Sequence, residues 1–207
     1  MSSEVDGDGT AGGGASRAQP ALVAGNHKWK SIAAGTLHTC GVTTSGKAYC
    51  WGDWYLGQLG NGTSGDAGTS SIPIAVSGSQ SWANITSSNF ETCATTVDGK
   101  GWCWGDNSQG QLGVPSSRSS AGALPVLTNA ATAATGAASS CSVGTDGRLR
   151  CWGSNLTGAL GDGSGVDSLS PVTVGSATTW SKVAVGDVTR ATVVGRSSPA
   201  CSPGTVA

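Results

Sequence analysis

Six of the seven cysteines fall into pairs ten residues apart: Cys40 with Cys50, Cys93 with Cys103, and Cys141 with Cys151. Cys201 is left over. Two thiols at such a separation can oxidise to a disulfide, pack side by side as reduced thiols, or share a metal ion. The spacing speaks against a metal, because no CxxC or HxxxH pattern occurs and each pair belongs to a different part of the chain. Disulfides are the preferred reading. In the chain-entropy model each closes an 11-residue loop and contributes about 2.5–3 kcal/mol. They imply an oxidising compartment, whereas packed reduced pairs suit a cytosolic protein, and that second reading stays open.

Other reactive groups are few. His27 and His38 are the only histidines, and Glu4 and Glu91 the only glutamates. A Ser-His-Asp or Cys-His site needs one of those histidines. His38 lies inside a repeated motif, where a structural hydrogen bond is the better reading. No paired carboxylates recur at a matched position for acid–base work, and no G-x-x-x-x-G-K-[ST] loop is present to cradle phosphate. The string GSGVDSL at 163–169 is similar to one turn of a calcium-binding nonapeptide, but that site needs tandem copies. Asn61, Asn84 and Asn155 head N-x-T sequons, which matter only in a secreted protein. No catalytic, cofactor or metal residue is therefore assigned. Trp51, Trp104 and Trp152 recur in phase and read as packing residues. Trp54 and Trp102 do not, and are the candidates for exposed binding contacts, since tryptophan is enriched in interface hot spots.

These residues are placed by an internal repeat. The first copy, from Trp29, reads WKSIAAGTLHTCGVTTSGKAYCWGDWYLGQLGNGT; the second, from Trp82, reads WANITSSNFETCATTVDGKGWCWGDNSQGQLG; the third keeps only the later part, SSCSVGTDGRLRCWGSNLTGALGDG. Cys50, Cys103 and Cys151 step by 53 and 48 residues, and so do the tryptophans that follow them and the glycines Gly57, Gly110 and Gly158. A proline-led apolar segment precedes each copy, at Pro20, Pro73, Pro125 and Pro171. A fourth copy starts at Trp180, with Ala191 where Cys40 stood and Cys201 where Cys50 stood, and the pattern then fails.

Each copy encodes a β-hairpin. Thr44-Ser45-Gly46, Val97-Asp98-Gly99 and Thr145-Asp146-Gly147 are three-residue loops with glycine at the place that needs the left-handed conformation. With Thr43 and Lys47 closing the loop, counting outward sets Cys40 opposite Cys50 at a non-hydrogen-bonded site, where Cα atoms lie about 4.5 Å apart, within disulfide reach. The same register pairs Cys93 with Cys103 and Cys141 with Cys151. Short strands after each leading tryptophan (31–33, 84–86, 182–184) and at each proline-led segment (74–76, 126–127, 172–174) bring the count to four per copy. Four antiparallel strands repeated radially make a propeller blade. The fold class expected is all-β, a partial β-propeller built from four-stranded antiparallel blades, with a parallel β-helix as rival.

HTCGVTTSGKAYCWGDWYLGQLGNGT and ETCATTVDGKGWCWGDNSQGQLG closely resemble the regulator of chromosome condensation repeat family, over roughly residues 20 to 195. The resemblance implies a seven-bladed propeller with each sequence repeat split across two adjacent blades, of which this chain holds about half. The match erodes along the chain: Gly35 recurs as Gly136 and Gly186 but becomes Ser88, and His38 becomes Glu91, Ser139 and Thr189.

Bulk properties agree. Eleven basic and twelve acidic residues argue against a strongly basic nucleic-acid surface, and 34 glycines with one Met and one Phe suit short strands and tight turns. No run of 18 apolar residues marks a membrane helix. Residues 1–19 read as a disordered Gly/Ser-rich lead-in without the pattern of a secretory signal, 20–195 as the partial propeller, and 196–207 as an irregular tail. The function expected is a non-catalytic protein-binding module, with the length-variable loops 61–72 and 114–124 as first contacts. The resemblance offers two alternatives: guanine-nucleotide exchange on a small GTPase, or an extracellular proteinaceous enzyme inhibitor. The partner expected is a protein, with no nucleic acid, membrane or cofactor indicated, and the chain is an oligomer or one lacking further repeats. The cysteine pairs lean extracellular.

Overall fold

A computed structural model describes Gly7, Gly9, and residues 19–65, 68–115, 118–186 and 193–196, the last four as backbone only. Cys201, residues 197–207 and most of 1–19 lie outside these. The described residues are all strand, turn and coil. No helix among them is long and apolar enough to cross a membrane.

The first copy folds as one four-stranded antiparallel sheet: β1 (Trp29–Ala34), β2 (His38–Thr43), β3 (Ala48–Asp53) and β4 (Thr69–Ala75). The second gives β5 (Trp82–Ser88), β6 (Glu91–Thr96), β7 (Gly101–Asp106) and β8 (Ser119–Leu127). The third gives β9 (Ala130–Thr135), β10 (Ser139–Gly144), β11 (Leu149–Gly153) and β12 (Ser168–Thr173). A two-stranded sheet, β13 (Trp180–Ala184) with β14 (Val193–Arg196), begins a fourth. The first strands β1, β5, β9 and β13 neighbour one another in turn, which is the radial arrangement of propeller blades. The third copy is a whole blade, although its first half is not recognisable in the sequence. Ala130 takes the place of Trp82 at the start of β9, so the Ala/Thr strand carries no marker.

The hairpin register is as expected. Thr43 N–H donates to Lys47 O at 2.8 Å and Gly46 N–H to Thr43 O at 2.9 Å, with Gly46 at φ 79°. Thr96 with Lys100 and Gly144 with Arg148 close the other two loops in the same way. Cys40 faces Cys50, Cys93 faces Cys103 and Cys141 faces Cys151, with Cα atoms 4.1, 4.1 and 4.0 Å apart. Each pair stands at disulfide bonding distance.

The Trp-Gly step has a steric cause. Gly52, Gly105 and Gly153 sit at φ 105°, 103° and 101°. A Cβ there would strike the carbonyl oxygens of Leu37, Phe90 and Ala138, so glycine alone fits where the third strand bends away. Between adjacent sheets lie separate apolar clusters. One joins Val42, Leu59 and Val76 of the first blade to Trp82, Ile85 and Trp104 of the second. Another sets Leu112 against Trp152, and a third sets Leu160 with Val143 and Leu149 against Trp180 and Val183.

Candidate interaction surface

Each blade has two ends. The three-residue hairpin loops and the β4–β5 and β8–β9 connections lie at one, called here the turn end. The turns between the first and second strands of each blade and the long connections that follow β3, β7 and β11 lie at the other, the loop end.

At the loop end the repeated residues are consumed by architecture. In the GQLG strings the glutamine turns back on its own loop: Gln58 Nε2 donates to Asp53 Oδ1 at 2.7 Å, and its Oε1 accepts from Leu56 N–H at 2.9 Å. Gln111 does the same with Asp106 (2.9 Å) and Gln109 N–H (2.8 Å). Both side chains are buried. Their backbone carbonyls face the next blade, where Trp104 Nε1 donates to Gln58 O at 3.0 Å and Trp152 Nε1 to Gln111 O at 2.8 Å. The in-phase tryptophans are therefore seam residues. Asn107 and Asn155 brace the same loops by accepting from Leu112 and Leu160 N–H, each at 3.0 Å. Asn155 is buried, so its sequon is closed to modification.

Two buried titratable groups lie at the seams. His38 Nε2 meets Thr92 Oγ1 at 2.8 Å across the first seam, and burial pushes its pKa down to about 4, so the ring is neutral. At the equivalent place in the second blade, Glu91 Oε1 accepts from Ser140 Oγ at 2.9 Å across the second seam. Burial drives the Glu91 pKa well above the usual carboxylate range, with the charge of nearby Asp106 pushing the same way. Both side chains are buried between blades. Among the described residues no group of three or more His, Cys, Asp or Glu side chains could hold a metal. The 163–169 string is instead fastened by Asn155, whose N–H donates to Asp167 Oδ1 at 2.6 Å and whose Nδ2 donates to Ser164 Oγ and Val166 O, each at 3.2 Å.

What remains at the surface changes in residue type from copy to copy. Trp54 replaces the bracing asparagine in the first blade; it is half-buried, lies over Gly68 and packs on the first cluster. Trp102 is also half-buried against that cluster. At the turn end it lines a cleft of about 380 Å³ with Gln80, Val97, Asp98 and Lys100. Its buried Nε1 and the Gln80 Oε1 have no hydrogen-bond partner among the described residues. At the loop end the exposed apolar side chains include Leu37, Tyr55, Leu156 and Val166, with Leu156 84% and Tyr55 56% exposed. Sequence reasoning did not single these out. Their signal is that Tyr55 and Leu156 occupy one repeat position, Ser108 in the second blade, where an apolar side chain serves no packing need.

A family model described as "Regulator of chromosome condensation (RCC1) repeat" matches residues 29–58, the first three strands of the first blade. The human E3 ubiquitin-protein ligase HERC2 is 36% identical over 86 residues, 40% of this chain and 2% of that protein. The Caenorhabditis elegans homolog of the X-linked retinitis pigmentosa GTPase regulator is 34% identical over 84 residues, 41% of this chain and 6% of that protein. The Arabidopsis thaliana ultraviolet-B receptor UVR8 is 38% identical over 92 residues, 44% of this chain and 20% of that protein. This chain thus spans a minor part of each of these relatives. Among solved structures, Prp20p of Saccharomyces cerevisiae superposes with a TM-score of 0.66 at 22% identity, over 77% of this chain and 42% of that one. Human WBSCR16 gives a TM-score of 0.67 at 21% identity, over 78% and 43%.

Proposed function

Because this chain carries regulator of chromosome condensation repeats folded as propeller blades, we propose that it is a non-catalytic protein-binding module that uses the loop end of its blades. The observation that carries the reading is the division of labour between residues. Those that repeat from copy to copy are spent on seams and turns, while Leu37, Tyr55, Leu156 and Val166, whose residue type changes between copies, offer apolar contact area to solvent, as an interface core requires. Of the expected loops 61–72 and 114–124, residues 69–72 and 119–124 are strand, in β4 and β8, and the stretches that precede those strands would frame that surface. The solved structure of Prp20p describes binding to Gsp1p and histones, which supports protein recognition as the use of such a scaffold.

The test is affinity capture and crosslinking with native protein, Tyr55→Ser/Leu156→Ser and Trp102→Ala. A partner retained by native protein and lost only with the loop-end double variant supports the reading. Loss with Trp102→Ala alone moves the site to the turn-end cleft, and retention by all three overturns both. The three cysteine pairs at bonding distance favour an oxidising setting and hence an extracellular binder, including an enzyme inhibitor, over nucleotide exchange on a cytosolic GTPase. Peptide mapping of native protein without reductant is expected to show all three links; six free thiols would reverse that preference.

A further inference from the structure

We infer that Gly7, Gly9 and residues 19–25 belong to the closing turn and outer strand of a further blade, docked on Trp51, rather than to a lead-in to the first one. Three equivalences carry this. Gly60 lies on the Trp104 indole and Gly113 on the Trp152 indole, so that a Cβ on either would come within 2.7 and 2.8 Å of Nε1. Gly7 lies on the Trp51 indole in the same way, and a Cβ there would overlap the ring. The backbone conformations agree, with φ 73° at Gly7 against 65° at Gly60 and 72° at Gly113. The hydrogen bonds agree as well. Gly60 O accepts from Ser77 N–H at 2.8 Å, and Gly7 O accepts from Ala24 N–H at 2.9 Å; Ser77 and Ala24 each stand four residues after their proline, Pro73 and Pro20. Gly62 N–H donates to Ala121 O of the following blade at 2.9 Å, and Gly9 N–H donates to Ser71 O at 2.8 Å.

The sequence agrees once the positions are known. Gly7-Asp8-Gly9-Thr10 matches Gly60-Asn61-Gly62-Thr63 and Gly161-Asp162-Gly163-Ser164, and both Gly7 to Gly60 and Pro20 to Pro73 are the step of 53 residues that separates Cys50 from Cys103. Trp51 is accordingly 3% exposed, as buried as its counterparts Trp104 and Trp152.

The experiment is hydroxyl-radical footprinting of the full chain, with oxidation located at single tryptophans by mass spectrometry, on native protein, Gly7→Val and Gly12→Val. A valine at Gly7 must adopt a left-handed backbone and collide with the indole; Gly12 lies outside the repeated string. Native Trp51 is expected to be as protected as Trp104 and Trp152. Gly7→Val is expected to raise its oxidation severalfold with the other two unchanged, and Gly12→Val to behave as native. The inference is overturned if native Trp51 is already oxidised severalfold faster than Trp104, or if Gly7→Val leaves it protected. Should Gly7→Val expose all three tryptophans, amide exchange at Ala24 in native protein decides: protection matching Ser77 upholds the docked turn, and free exchange overturns it.

Discussion

The seam between the first and second blades and the seam between the second and third are the same joint built with different polar chemistry. In both, an indole nitrogen donates to the carbonyl of the preceding glutamine, at 3.0 and 2.8 Å, and a side chain at the start of the second strand reaches across. In the first that side chain is the neutral His38, meeting Thr92; in the second it is Glu91, receiving a hydrogen bond from Ser140. Repetition therefore fixes what must be geometrically identical, the indole bond and the glycine turn beneath it. It leaves free the buried polar position, provided its occupant finds one partner and gives up its charge.

The shared part of the joint carries the largest effect. Trp104→Ala is expected to cost about 3–5 kcal/mol of unfolding free energy, read from denaturant midpoints, with Trp152→Ala similar. A cost for either below about 1 kcal/mol would break the equivalence of the seams. Next is the covalent part: Cys93→Ser/Cys103→Ser is expected to cost about 2–3 kcal/mol in non-reducing buffer and less in reductant, where only the burial of two hydroxyls in place of thiols remains. Since the Cys141–Cys151 hairpin has the same loop length, its double variant is expected to match within a few tenths of a kcal/mol.

Hairpins, cysteine pairing and blade count were legible because they depend on local chemistry: a glycine at the third loop place and a pairing register that follows from it. The first half of the third blade was not, because β9 is held by its neighbours and its sequence, AATAAT, has lost the marker tryptophan. The seam role of GQLG was legible only as a turn. That its glutamine would fold back on Asp53 while its carbonyl served the next blade's indole is a long-range fact. Trp54 and Trp102 were found as out-of-phase residues, yet both spend part of their surface on the core. Tyr55 and Leu156 were missed because Ser108 interrupts their shared repeat position.

The smallest effects at neutral pH separate the two seams by sign. Burial raises the Glu91 pKa well above its ordinary value of 4.5 in the folded chain, so the unfolded chain gives up the proton first as pH rises. Stability is therefore lost as pH rises from 4.5 towards the raised folded value. Glu91→Gln keeps an acceptor for Ser140 and removes that loss, so it is expected to raise the melting temperature at pH 7 and to change little at pH 4. His38 runs the other way. Its folded pKa of about 4 lies below the ordinary 6.5, so the unfolded chain takes up the proton first, and stability is lost as pH falls from 6.5 to about 4. His38→Gln is expected to be nearly neutral at pH 7, where neither state is much protonated, and to gain relative to native protein as pH approaches 4. Melting curves of both variants between pH 4 and pH 7 check this. Differences that run with the same slope would mean that the two buried groups are not independent occupants of one repeated position.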